Sequence, residues 1–434
     1  MKMYRKIYQD LLNWKNSTDR KPLVLQGPRQ VGKTYILNTF GESEYSNVVY
    51  CNFEKEENLK DFFASDLNPK TILAKIQNYK KKEILSGHTL IIFDEIQACP
   101  KAVTSLKYFC EEANEYHIIA SGSLLGLSVY REKYSFPVGK VQFLNMYPMD
   151  FEEFLIANDE QFLINEIKKC YESNMPLDAL FHEKAIELYR YYLYVGGMPE
   201  VIDEFVTTHN MNIVRDKQQF ILDAYFNDMG KYNRSSEIPK TRLVFKNIST
   251  QLAKENRKFK YADIKSGGRA REFEQSIEWV CYAGIANQLY RLEHVKLPLE
   301  ANKSLDDFKF YMCDVGLCTA SQKILVEDII FDNPEFKDFK GGLTENYVNN
   351  QLRMNKFDLY YWTSGNQAEI DFVTRIGKDV IPIEVKSNDN VRSRSLSVYT
   401  KTYNPAYAIR ISNKNFGFEN NIKSVPLYAV FCIK

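Results

Sequence analysis

Leu23-Val24-Leu25-Gln26-Gly27-Pro28-Arg29-Gln30-Val31-Gly32-Lys33-Thr34 is the stretch on which the fold turns. A short apolar run that reads as a buried strand enters G-x-x-x-x-G-K-T, and the helical pattern Lys33–Phe40 follows. Glycines in such a loop let backbone N–H groups point inward at phosphate oxygens, and the helix adds the positive end of its dipole. The pattern therefore points to a nucleotide phosphate cradle, with Lys33 on the β- and γ-phosphates and the Thr34 hydroxyl on Mg2+. Gly27, Pro28, Arg29, Gln30, Val31, Gly32, Lys33, Thr34 and Tyr35 are the candidate ATP contacts. Arg29 has two readings, a nucleotide contact or a partner for a nearby acid.

A strand–turn–helix without a ligand would show the same loop pattern, so the decision falls to a second element. Leu90-Ile91-Ile92-Phe93-Asp94-Glu95 is an apolar strand ending in two acids. Asp94 suits the Mg2+ shell, and Glu95 suits a general base that polarises the attacking water. A further apolar strand ends at Ser121-Gly122-Ser123. One hydroxyl there, Ser121 first, is placed to sense the γ-phosphate; plain turn residues are the equal alternative.

Working outward, short apolar runs alternate with helical patterns over residues 1–155. Leu23–Gln26, Asn47–Phe53, Thr89–Asp94 and His117–Ser121 read as strands, and Lys101–Asn114 reads as a helix. Such alternation predicts an α/β fold with a parallel sheet. Residues 156–240 carry helical spacing, broken by Gly196-Gly197-Met198-Pro199. Residues 241–304 hold helical segments, a basic connector and β-like Gln288–Leu292. Residues 305–434 turn β-rich, with Lys309–Cys313, Asp358–Thr363, Ile370–Arg375, Val380–Val385 and Ala406–Arg410 as strands and Leu343–Met354 as a helix.

Composition is that of a globular protein, with 44% hydrophobic and 26% charged residues, and 29 Tyr and 28 Phe supply large cores. The net charge of +1 excludes a globally basic nucleic-acid binder, so any such role needs a local patch. The eight cysteines are scattered; Cys313 and Cys318 alone are close and make a poor zinc site. No apolar run is long enough for a bilayer, and the N-terminus carries charges where a signal peptide would be apolar. The expectation is a cytoplasmic protein without a membrane partner.

The runs LQGPRQVGKT, NFE (Asn52–Glu54), IIFDEIQ, SGS and Pro148-Met149-Asp150-Phe151-Glu152-Glu153-Phe154 together resemble prokaryotic AAA+ ATPases of the STAND-like branch, which carry a C-terminal domain of unknown function. The Gly-Gly-Met-Pro loop at 196–199 and Phe310–Leu317 fit the same pattern. The resemblance implies an AAA+ P-loop core (1–155), a helical lid (156–240), a winged helix (241–304) and a C-terminal domain (305–434). It also implies ATP and Mg2+ as ligands and a possible homo-oligomer. Relatives often place Gly-Arg, a candidate arginine finger, before the Pro148–Phe154 segment. Here Gly139-Lys140 stands there, and a lysine cannot fork to phosphate as arginine does. Lys140 is the candidate finger and Arg131 the alternative; a plain surface lysine at 140 is the equal reading.

In the last domain, Asp371 lies in one strand, while Glu384 and Lys386 share a face of the next. With Glu345, this resembles the PD-(D/E)XK restriction-endonuclease fold, in which the acids hold Mg2+ and the lysine serves the attacking water. Lys254–Arg271 holds seven basic and two acidic residues. That patch suits the backbone of double-stranded DNA; a winged helix that only binds protein or packs against the ATPase core is the equal alternative. Three function classes stay open: an ATPase coupled to work on DNA, a nucleotide-controlled nuclease, and a signalling switch that recruits a protein.

Overall fold

In the computed structural model, five strands form one sheet: β1 (Leu23–Gly27), β2 (Asn47–Asn52), β3 (Thr89–Asp94), β4 (His117–Ser123) and β5 (Gln142–Asn145). Their order is β2-β3-β4-β1-β5, and every pairing is parallel. The structure describes residues 3–64, 66–123, 137, 139–232, 235–254, 257–331, 333–365, 368–387 and 394–434. Helices cover both faces of this sheet, which is why its strands are continuous apolar runs rather than alternating ones. Val24, Val49, Ile91, Phe93 and Ile118 share one buried core with Ile72, Val103 and Phe109 from flanking helices. The helix Lys33–Glu44 buries Ile36, Leu37 and Phe40.

The remaining strands form a mixed sheet: β6 (Ala286–Leu292), β7 (Lys303–Met312), β8 (Tyr360–Thr363), β9 (Glu369–Ile376), β10 (Asp379–Val385), β11 (Ala408–Ser412), β12 (Gly417–Glu419) and β13 (Ile422–Pro426). The order is β12-β13-β11-β10-β9-β8-β6-β7. The helix Lys337–Met354 is buried around most of its circumference from Gly342 to Leu352. Its Asn346 side chain grips Met312 of β7 by both N–H (2.7 Å) and C=O (2.9 Å).

The chain divides into two compact units, one holding Arg5–Tyr147 with Tyr282–Gly284, the other Pro148–Cys281 and Ile285–Lys434. Two expectations read differently here. The helices of 156–240, expected as a lid on the nucleotide domain, group instead with the C-terminal sheet, and the division falls before Pro148. The reason is an aromatic face. Phe151, Tyr189 and Tyr192 pack around Tyr347 of the buried helix, and the Phe151 N–H donates to Gln351 Oε1 at 3.0 Å. The Asp-x-x-Glu of the Pro148–Phe154 segment is a capping box, in which Asp150 and Glu153 exchange side-chain bonds with each other's backbone N–H (2.8 and 3.0 Å).

The second difference concerns residues 241–304. Three helices, Ile238–Leu252, Tyr261–Ile264 and Ala270–Tyr282, do precede a strand. That strand, β6, pairs antiparallel with β7 and parallel with β8, so it continues the C-terminal sheet rather than closing a separate wing. The boundary placed at 304/305 falls inside β7. Among the described residues no helix is long and apolar enough to cross a membrane. All eight cysteines are free thiols.

Candidate active site

β1 ends at Gly27, and the loop to Lys33 wraps the start of the next helix. Gly27 admits no side chain, because a Cβ there would lie 2.2 Å from the Met146 carbonyl oxygen. Gly32 sits at φ +88°, a left-handed conformation that glycine adopts without strain. It occupies the N-cap, and no side chain caps the helix, so the first N–H groups are left to the loop's ligand. Pro28 and Val31 are buried, Arg29 and Gln30 half-buried, and Tyr35 is exposed on the first helical turn. From outside the loop, the buried Arg5 guanidinium donates to the Val31 carbonyl at 2.8 Å and the Tyr147 carbonyl at 2.6 Å.

Lys33 Nζ donates to the carbonyls of Gly27 (3.0 Å) and Pro28 (2.8 Å). Crowding by the loop strips its ammonium of water and lowers its pKa to about 8, against the pull of Glu95 and Asp94. Thr34 Oγ1 donates to Asp94 Oδ2 at 3.1 Å.

The strand order explains why three segments meet here. β4 lies between β1 and β3, in register Leu25↔Ser121 and Ile92↔Ile119, so Ser121 ends beside both the loop and Asp94. Its hydroxyl donates to Asp94 Oδ1. On the other side of β3, Tyr50 OH donates to Asp94 Oδ2, and Asn52 Nδ2 approaches the same oxygen at 3.4 Å. The carboxylate is thus held by Thr34, Ser121, Tyr50 and Asn52, from three elements: the helix Lys33–Glu44, β4 and β2. Glu95 is turned by a left-handed backbone (φ +51°), and its carboxylate accepts from Gln97 Nε2. Burial raises the Glu95 pKa, and neighbouring Asp94 adds to the rise.

A hydroxyl and an anchored carboxylate beside a phosphate loop are the hard oxygen donors that Mg2+ takes, so Thr34 and Asp94 fit this ion. Tyr50, Arg5 and Gln97 were missed as site residues in the sequence. Polar Tyr50 and Asn52 two apart at the end of an apolar strand was the available signal, since that spacing shares one face. Lys140 is not in this cluster. It precedes β5, which runs parallel to β1, and so stands at the opposite end of the sheet, paired with Glu111 at 2.9 Å. Arg131 lies outside the described residues.

The candidate acids of the C-terminal unit do not assemble as expected. Both Glu345 oxygens are taken: Oε1 by Arg257, Oε2 by Lys309 (3.1 Å) and Tyr311 OH (2.8 Å). Burial would raise the Glu345 pKa, but Arg257 and Lys309 hold it well below the usual carboxylate range. Lys309 also pairs with Glu369 at 2.5 Å. Asp371 accepts the Val385 N–H at 2.8 Å, and burial followed by the Glu345 charge pushes its pKa far up. Buried Glu384 pairs with Lys386 at 3.1 Å, and Arg410 of the adjacent strand stands 3.8 Å away. Among the described residues no three acids, histidines or cysteines are grouped to hold a metal. A divalent ion does not fit Glu345, because two cations and a phenol already saturate it. Gly341 is part of the reason: a Cβ there would meet the Arg257 guanidinium at 2.3 Å, so the glycine opens its path.

The basic connector is also largely neutralised. Lys254 pairs with Asp263 (2.8 Å), Arg257 with Glu345, Lys258 with Asp307, and Lys265 with Glu272 (3.3 Å). Lys260, Arg269 and Arg271 remain exposed without an ion pair among the described residues.

A glycine-rich phosphate loop, an acid pair at the end of β3 and a hydroxyl-ended strand between them have the arrangement of a P-loop nucleotide site. Residues 19–155 match the family model described as an AAA domain. Residues 186–327 and 340–430 match two domains of unknown function, DUF8612 and DUF4143. No curated protein matches the chain. Among solved structures, the Walker-type ATPase PABY2304 of Pyrococcus abyssi is 14% identical at TM-score 0.43, over 74% of this chain and 96% of that one. The ORC2 protein of Aeropyrum pernix in its ADP form is 12% identical at TM-score 0.31, over 75% and 92%. The ORC1 protein of Aeropyrum pernix in complex with DNA is 12% identical at TM-score 0.25, over 76% and 91%.

Proposed function

We propose that the chain is a Mg2+-dependent ATP hydrolase. The observation that carries the reading is the convergence of Thr34, Ser121 and Tyr50 on one carboxylate, Asp94, at the mouth of the phosphate loop. Backbone N–H groups of Arg29–Thr34 and the Lys33 ammonium bind the β- and γ-phosphates. Mg2+, held by Thr34 and Asp94, would neutralise charge on those phosphates. Glu95 accepts a proton from water as the water oxygen bonds to the γ-phosphorus. The bond from that phosphorus to the bridging oxygen breaks, and ADP leaves with the electron pair.

The work done with that energy is, in this reading, linked to DNA. Its support is three exposed cations, Lys260 before the helix Tyr261–Ile264 and Arg269 and Arg271 at the start of the helix Ala270–Tyr282. Three phosphate contacts imply a log–log salt slope of roughly −3 for DNA binding. The C-terminal unit is read as a scaffold in a nuclease-like frame, since saturated Glu345 argues against metal-dependent cleavage there.

The test is ATP turnover with Mg2+, with and without double-stranded DNA, beside Lys33→Ala and Glu95→Gln. Turnover abolished in both variants and stimulated by DNA supports the proposal. Turnover that ignores DNA, with a nucleotide-dependent change in mass, transfers the assignment to a signalling switch. Absence of ATP binding sinks the reading altogether.

A further inference from the structure

Gln97 follows the acid pair by two residues, in the short 3-10 helix Ile96–Ala98. An ionised carboxylate offers acceptors only, so the amide nitrogen of Gln97 must face Glu95, as found. The amide oxygen then points the other way. It is buried and has no hydrogen-bond partner among the described residues. A glutamine kept for packing alone would have both ends satisfied, because a buried acceptor without a partner is destabilising.

Two further features hold the side chain in that place. Glu95 adopts φ +51°, uncommon for a residue with a side chain, and this turn starts the 3-10 helix that carries Gln97. A Cβ on Gly122 would lie 2.3 Å from the Gln97 amide oxygen, so the glycine of Ser121-Gly122-Ser123 leaves the room the amide occupies. Gly122 is itself in register with Gln26, the last residue of β1 before Gly27. The amide is therefore wedged between the base and the strand beside the phosphate loop.

We infer that Gln97 is the positioning residue for Glu95: its amide N–H fixes the carboxylate of the base, and Gly122 is the seat that aims the amide. This rests on the ATPase reading above. Gln97 touches neither nucleotide nor metal in this role, and its effect on turnover passes through Glu95 alone.

The test is a double-mutant cycle in the full chain, read by steady-state and single-turnover ATP hydrolysis. Gln97→Ala is expected to lower kcat roughly tenfold or more, with KM for ATP within about twofold of the parent. In a Glu95→Gln background the same change should cost less than about twofold, because the group it positions is gone. Gly122→Ala should reproduce the kcat loss by displacing the amide, and Gln97→Glu, which cannot donate to a carboxylate, should fail likewise. Equal losses in both backgrounds would mean a role independent of Glu95 and overturn the inference, as would full turnover in Gln97→Ala. A wild-type protein that hydrolyses no ATP refutes the ATPase reading itself, before any Gln97 variant is compared.

Discussion

Thr34 Oγ1 and Asp94 Oδ2 meet at 3.1 Å, joining the first turn after the phosphate loop to the end of β3. Thr34→Val keeps the shape and removes the hydroxyl. It should raise the Mg2+ requirement of ATP turnover by roughly tenfold or more, while metal-free nucleotide binding stays near the parent. Tyr50→Phe removes a second donor from the same carboxylate and should shift the Mg2+ titration in the same direction. A Mg2+ titration of turnover in both variants reads this directly.

Gly27→Ala would drive a Cβ into main-chain Met146, whose own N–H is tied to Gln26 O at 2.8 Å. Neither partner is a flexible side-chain end, so the loop or β5 must shift. A loss of about 1–3 kcal/mol is expected in urea unfolding of the nucleotide unit, together with weakened ATP binding.

Asp314 caps the helix Val315–Ser321 through Leu317 N–H (2.8 Å) and holds the Gly197 N–H at 2.5 Å. Burial outweighs these donors and raises its pKa to about 6. The folded state therefore binds more protons than the unfolded one between the ordinary carboxylate value and about 6. Stability from this group falls as pH rises through that window, by up to about 1.4 kcal/mol per pH unit. Urea unfolding across the window should show that slope in the parent and a flatter profile in Asp314→Asn.

Glu345→Ala would strand Arg257 and leave Lys309 with Glu369 alone, two cations that converge on one buried carboxylate in the parent. Breaking such a cluster from one side costs roughly 3–5 kcal/mol. Chemical unfolding should show a loss of that size. In the nucleotide-free parent, EDTA or added Mn2+ should leave the unfolding midpoint of the C-terminal unit unchanged, since Arg257, Lys309 and Tyr311 already occupy both oxygens of Glu345.

Lys140→Ala should leave ATP turnover at the parental level. The lysine stands at the end of the sheet away from the phosphate loop, in an exposed pair with Glu111.

The nucleotide half of the molecule was legible because its signals are local. A phosphate loop needs its glycines, lysine and threonine in consecutive positions, and an acid pair must end a strand. The four strands β1 to β4 fall within a few residues of where the apolar runs place them. Tyr50 escaped notice as a site residue because it acts across a register, β2 meeting Asp94 only once it pairs with β3, and Gln97 because the left-handed turn at Glu95 and the space at Gly122 that aim its amide leave no mark in the pattern. In the C-terminal unit the spacing of Glu384 and Lys386 was read correctly as one face, and they meet at 3.1 Å. Glu345 was assigned to a metal because a helix pattern cannot show that Arg257 arrives from another element over Gly341.

By itself, then, the chain's order of residues determined a parallel sheet entered by a phosphate-loop pattern, and placed Lys33, Thr34, Asp94 and Glu95 at the ends of its elements, since contiguous backbone geometry dictates each. Tertiary structure alone decided which unit the helices after Pro148 join, what neutralises Glu345, and how Asp94 and Glu95 are held. Those outcomes depend on buried aromatic faces and on charges brought together from distant segments. Burial and pairing energies of that kind are settled by three-dimensional neighbours, which no local pattern records.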